Sequence, residues 1–294
     1  MDVLVQLLIG GLILGAIYSM VALGFNVILA TTGTWHFAHG AVFTATAYFM
    51  YWLYVLLGWP FLVAAVLCVP FAVVLGVSIE LGVYRTIRRR GAAPVVLMVV
   101  AIAISTFIEN VLAILFGTDA KNLGSGIVPG SFIVGRVFIT YWQLIMVVSA
   151  LILFGGFVWF QRRTRLGTAM RALSSNREMA EIVGVDGERV YVYAFAIGSA
   201  LAAPAAVLVA SYVGMTTGIG FTVLLIAVAA VIVGGLGSVP GTLLGALFIG
   251  AVMNLGVWKI PTVWQSSIAF GVLLLFIVFR PTGFFGRKIR TAKV

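Results

Sequence analysis

The chain contains apolar runs too long to be the buried faces of soluble helices. Val3–Ala30 carries no charged residue, and Val95–Phe116 carries only Glu109. At ~1.5 Å per residue either run can cross the ~30 Å of hydrocarbon in a bilayer. Backbone polar groups in lipid must be satisfied internally, so spanning elements are helices or closed barrels. Barrel strands read as roughly ten-residue stretches of alternating polarity, whereas these runs are longer and uniformly apolar. The expected fold class is an all-α polytopic membrane protein. Composition agrees: 9% of residues are charged and 63% hydrophobic, against about 25% charged in a soluble domain.

The chain begins MDVLVQLLIGG. It shows neither a basic n-region nor a small-residue cleavage site, so the first run is expected to be a retained helix. A single cysteine, Cys68, excludes an intrachain disulfide and reads as packing inside an apolar run.

The segments expected to span are about 4–29, 36–57, 61–83, 95–117, 140–160, 191–213, 221–236, 241–257 and 264–280. That makes about 8–9 transmembrane segments, some broken or short. The net charge of +10 would suggest nucleic acid for a soluble protein. Here the cations sit in short loops, where the positive-inside rule explains them. Arg85, Arg88, Arg89 and Arg90 follow the third run. Arg162, Arg163, Arg165, Arg171, Arg177 and Arg189 follow the fifth, and Arg280, Arg287, Lys288, Arg290 and Lys293 close the chain. One parity puts all three clusters on the cytoplasmic side: N-terminus outside, C-terminus inside. It makes the connection at about 118–139, with Asp119, Lys121, Arg136, a GSG and a PG, an extended external loop.

The seventh and eighth runs are short, and GGLGSVPGTLLG (Gly234–Gly245) separates them. They are either two short spans or two half-helices meeting inside the protein. A second break, TTGT, precedes WHFAHGAVF. Setting His39–Phe43 beside Pro240–Leu244 gives a weak similarity. Such paired breaks either mark a transporter's central site or are unrelated breaks with small residues for close helix packing.

The most polar segment is the loop at about 161–190. Thr168–Leu173 is predicted as a short helix. A second follows, capped by Ser174, Ser175 or Asn176, with Glu178 in its first turn and Gly184 at its end. Met179, Ala180, Ile182 and Val183 are expected to line one side of it. Such a helix suits either a protein groove or lipid headgroups.

FAHG, VYRTIRRR, GTAMRALSSNREMAEIVGVD and GGLGSVPGTLLGALFIG, in this order, resemble the LivH-type permease subunits of ATP-binding cassette importers. The best-known members take up branched-chain amino acids. The resemblance covers essentially the whole chain and implies a type II importer-like permease fold, with residues 1–294 as a single transmembrane permease domain. It also implies a LivM-like second permease subunit, two ATPase subunits carrying ATP and Mg, and an external solute-binding protein, in the inner membrane. The coupling segment at about Arg171–Val185 would then sit in the ATPase groove, through Arg171, Asn176, Arg177, Glu178, Met179, Ala180, Ile182 and Gly184. No GxxxxGK[ST] phosphate loop is present, so energy is expected from another subunit or an ion gradient. Two positions depart from the family pattern. Ala41 stands where an acidic residue often follows FAHG, and Glu109 where a glutamine is common. Urea, short amides and small carboxylates are taken up by similar permeases.

The candidate substrate path comprises His39, Gly40, Ala41, Phe43, Glu109, Asn110, Gly237, Ser238 and Pro240. Glu109 inside an apolar span is either a substrate or gating group or a structural bond to a neighbouring helix. Glu80 is expected to pair with the Arg85–Arg90 cluster. Asn254 and Gln265 lean structural, and Ser105 and Thr106 are expected to bond back to their own helix. Trp35, Phe37 and Phe43 fit an interfacial belt or the walls of a small apolar pocket. His36 and His39, the only histidines, lack the third ligand a zinc site needs and the titratable partners of a proton relay. They read chiefly as neutral imidazoles holding a broken helix, with substrate contact as the functional alternative. No metal or nucleic-acid partner is expected, and no enzymatic activity. The rival functions are an ion-driven carrier and a channel.

Overall fold

The computed structural model describes residues 2–124, 130–134 and 137–286. The expectations for Arg136, for most of the GSG and for Arg287, Lys288, Arg290 and Lys293 lie outside these residues.

Each expected apolar run is a helix. They are α1 (Asp2–Thr32), α2 (Ala38–Tyr51), α3 (Phe61–Ile79), α5 (Pro94–Phe116), α6 (Tyr141–Arg163), α9 (Gly187–Tyr212), α10 (Ile219–Gly234), α11 (Val239–Gly256) and α12 (Gln265–Phe279). Among the described residues, seven helices are long and apolar enough to cross a membrane, and α10 is a shorter apolar helix. α2 is extended by a π-helical turn, Trp52–Leu56. α3 runs on through a second π turn, Glu80–Tyr84, into α4 (Arg85–Arg89).

The first helix occupies the centre. In α1, 83% of the apolar stretch is buried, against 22% in α5 and α6 and 6% in α12. It packs against α6, α9, α10 and α11. Bare backbone makes the tightest of these approaches possible. A Cβ on Gly15 would stand 2.7 Å from the Ala246 carbonyl of α11. With no hydrophobic drive between helices in lipid, such close packing is the main source of their association. The outer helices turn large apolar side chains outward: Leu62, Val66 and Val74 on α3, Leu151 and Ile152 on α6, Phe279 on α12. In water this would be an aggregation surface; in a bilayer it is the lipid contact.

α10 and α11 pack side by side and antiparallel. Gly234 lies against Gly241, and Ala230 against Gly245. Glycines on both helices let the two lie flat together, an arrangement that two short spans and two half-helices meeting inside the protein share. The connection reverses through Gly235 and Gly237, both at positive φ.

The two ends of the bundle differ. One gathers the α1 C-terminus, α4, the polar loop and the 281–286 segment. There Glu188, in the first turn of α9, accepts from Arg85 Nε and Arg88 Nε, each at 3.0 Å. Phe284 and Phe285 donate backbone N–H groups to Val233 and Gly234. The described members of all three basic clusters thus share one end. At the other end the 118–139 connection contains a two-stranded antiparallel hairpin, β1 (Ser131–Val134) and β2 (Val137–Thr140), that the sequence reading did not anticipate. Its four-residue strands are too short for a clear alternation signal. Gln6 fastens it, donating to the Phe138 carbonyl and accepting from its N–H, both at 3.0 Å.

Candidate functional site

The break before α2 spans Gly33–Phe37, so His36 lies in the break and His39 in the first turn of the helix. Both imidazoles are fully buried. His36 Nδ1 shares a 2.9 Å hydrogen bond with the Tyr84 hydroxyl, and its ring meets Phe195 edge-on at 4.8 Å. Among the described residues no group of three His, Cys, Asp or Glu is disposed to hold a metal. Trp35 stacks on Phe37 and tilts against Phe25, and Phe43 is core. Phe43 thus packs inside the bundle, while Trp35 and Phe37 lie half-buried at its edge. Gly40 meets α10: a Cβ there would be 2.6 Å from the Gly220 carbonyl. His39, Gly40, Ala41 and Phe43 are thus walls of the core.

Glu109 and Asn110 are elsewhere, on the open side of α5. Glu109 is half-buried and accepts from Ser105 Oγ at 3.4 Å; Asn110 is exposed and donates to the Thr106 carbonyl. Thr106 bonds back to Ile102 as expected, whereas Ser105 donates to Glu109 one turn further along the same helix. One turn further on, Leu112, Leu115 and Phe116 join Phe49, Trp52 and Phe71 around an apolar groove of about 480 Å³ between α2 and α5.

A cavity of about 1020 Å³ opens at the basic end. Gly237, Ser238 and Pro240 border it, and so do Arg171, Ser174 and Thr282. Asn26 of α1 holds its roof. Its Oδ1 accepts from the Gly237 N–H at 3.0 Å, and its Nδ2 donates to Thr242 Oγ1 at 2.8 Å. Ser238 caps α11 by accepting from the Gly241 N–H at 3.1 Å. Asn26 escaped the sequence reading, although an amide in the otherwise apolar GFNVILA was a visible signal.

The polar loop folds into α7 (Arg165–Ser175) and α8 (Arg177–Ile182). α7 is longer than predicted because Thr164 caps it directly after α6, accepting from Gly167 N–H. Asn176 caps α8 through the Met179 N–H at 3.1 Å. Gly184, at φ 90°, closes it: Val185 N–H donates to the Ala180 carbonyl and Gly184 N–H to Glu181. This paired bonding requires a left-handed residue. The expected single apolar side is split. Ala180 turns into the core, while Met179, Ile182 and Val183 are 55%, 76% and 73% exposed. Only one short side chain fits between α8 and α9, so the larger ones point away. Arg177 Nε donates to Glu181 at 2.9 Å, which raises the Arg177 pKa. Arg171 and Glu178 are exposed beside this surface.

An apolar bundle with lipid-facing outer helices, a wide cavity at its basic end and a stiffened helical loop beside it defines a multi-pass membrane permease. A family model described as "Branched-chain amino acid transport system / permease component" matches residues 7–278. The chain is 34% identical to the high-affinity branched-chain amino acid transport system permease protein BraD of Pseudomonas aeruginosa, over 96% of this chain and 95% of that protein. It is 30% identical to the corresponding LivH protein of Escherichia coli K12, with the same coverage. Among solved structures, PsaBC from Streptococcus pneumoniae in complex with Fab has a similar fold, with a TM-score of 0.52 at 14% identity, covering 93% of this chain and 91% of that chain. The chain belongs to the family of branched-chain amino acid transport system permease components. It is a membrane transport subunit and not an enzyme.

Proposed function

We propose that this chain is one of two permease subunits of an ATP-binding cassette importer, carrying branched-chain amino acids delivered by an external binding protein. The names of its relatives support the substrate class. One observation carries the energy-coupling role. α8 holds Met179, Ile182 and Val183 exposed at the basic end, on a helix fixed by Asn176, Gly184 and Ala180. A helix stiffened to present apolar side chains outside the bundle is built to enter a groove on another protein. That protein is an ATPase subunit, which supplies ATP and Mg; this chain has no phosphate loop of its own. The basic end is then cytoplasmic, and the N-terminus and the β-hairpin face outside. The cavity bordered by Gly237, Ser238 and Pro240 is the cytoplasmic mouth of the path. Glu109 and Asn110 face the second permease subunit, where a carboxylate can receive the substrate's ammonium group.

Reconstitution in proteoliposomes tests this. Labelled leucine uptake is expected only with both ATPase subunits, the second permease and the binding protein, and is expected to be insensitive to an uncoupler. Uptake by this chain alone that an uncoupler abolishes would identify an ion-driven carrier instead. In the complete transporter, Ile182→Glu is expected to leave ATP hydrolysis running while transport falls at least ten-fold.

A further inference from the structure

Tyr191 joins two arginines that belong to different parts of the molecule. Arg88, at the end of the third span, has a side chain only 14% exposed. Its Nη2 donates to Glu80 Oε1 and its Nε to Glu188 Oε1. Its guanidinium lies over the Tyr191 ring, 4.7 Å from the centroid. Arg177, the first residue of α8, places its guanidinium over the same ring at 5.4 Å. Two cations near one buried ring are tolerable because each has its own carboxylate: Glu80 and Glu188 for Arg88, Glu181 for Arg177. The ring attracts both.

From Arg88 the contacts lead inward. Glu80 opens the π turn Glu80–Tyr84, and Tyr84 closes it. Isolated π turns within α-helices are rare and concentrate at functional sites. The Tyr84 hydroxyl meets His36, in the break before α2. Every step from α8 to that break is therefore a direct side-chain contact or a turn of one helix.

We propose that Tyr191 and Arg88 are positioning residues for energy coupling, passing displacement of α8 to the π turn and, through Tyr84, to the break before α2. This rests on the reading of α8 as the ATPase-docking element. A coupling route needs an element with two discrete arrangements, and a π turn that can revert to α-helical bonding is one.

The complete reconstituted transporter supplies the test. Tyr191→Leu keeps an apolar side chain and removes the ring face; Tyr191→Phe keeps the face. Tyr191→Leu is expected to retain bound ATPase subunits and ATP hydrolysis while moving at least ten-fold less substrate per ATP. Tyr191→Phe is expected to keep the wild-type ratio. Arg177→Met should lower the ratio too, and adding it to Tyr191→Leu should lower it no further, because both act through one contact. An unchanged ratio in Tyr191→Leu, or effects that multiply in the double variant, overturns the proposal. If Tyr191→Leu does not assemble, Arg88→Lys carries the same test, since it keeps the charge and loses the fork joining Glu80 to Glu188; an unchanged ratio there overturns it equally. A wrong docking assignment would show differently: Ile182→Glu would stay coupled whatever happens at Tyr191.

Discussion

His36 and Tyr84 illustrate how a polar atom survives inside an apolar bundle: the Tyr84 hydroxyl and His36 Nδ1 are hydrogen-bonded to each other. Tyr84→Phe leaves His36 Nδ1 without its partner. A buried polar atom so stranded costs about 1–3 kcal/mol, and thermal unfolding in detergent is expected to show the loss. Gly40 tests a different force. Gly40→Ala brings a methyl group against the Gly220 carbonyl and Leu224, so α2 and α10 must separate. Overpacking of this kind costs about 1–3 kcal/mol, again visible as a lower unfolding midpoint. Both residues stood out in the sequence, the histidine by rarity and the glycine by its place in FAHG. Their partners did not, because Tyr84 and Gly220 are brought to them only by packing of distant helices.

At the level of elements, local rules were legible and facing directions were not. Asn176, Glu178 and Gly184 announce the ends of α8, since capping depends on a few consecutive residues. Which of Met179, Ala180, Ile182 and Val183 turns inward depends on the space left by α9, and no local pattern encodes that. Asn176→Ala removes the cap bond to Met179, costs about 1 kcal/mol, and is expected to speed amide hydrogen exchange over 177–183 selectively. Asn26→Leu removes the clasp on Gly237 and Thr242. Faster exchange is expected over 235–242 while α9 stays protected. Protection unchanged at 235–242 would show that the α10–α11 turn holds itself.

For the whole molecule, the nine runs and the clustering of charge were readable because membrane length and loop charge are summed properties that tolerate local error. The split of the candidate path was not readable: the FAHG segment is core, Glu109 is on the open side of α5, and Gly237, Ser238 and Pro240 border the cavity. Orientation has a clean measurement, because Cys68 is buried and gives little labelling background. Asp119→Cys is expected to react with an impermeant thiol reagent added outside cells, and Glu178→Cys only after permeabilisation; the reverse pattern would invert the topology. The central position of α1 has a consequence for biosynthesis. It is made before α9, α10 and α11, yet it packs against them, and among the described residues Asn26 finds its side-chain partners at 237–242. At about 5–20 residues per second, roughly 10–40 s of translation separates the helix from the segment that satisfies it. During that interval the Asn26 amide lacks the partners it has in the folded chain, so α1 is completed as a membrane helix only when the α10–α11 turn is made.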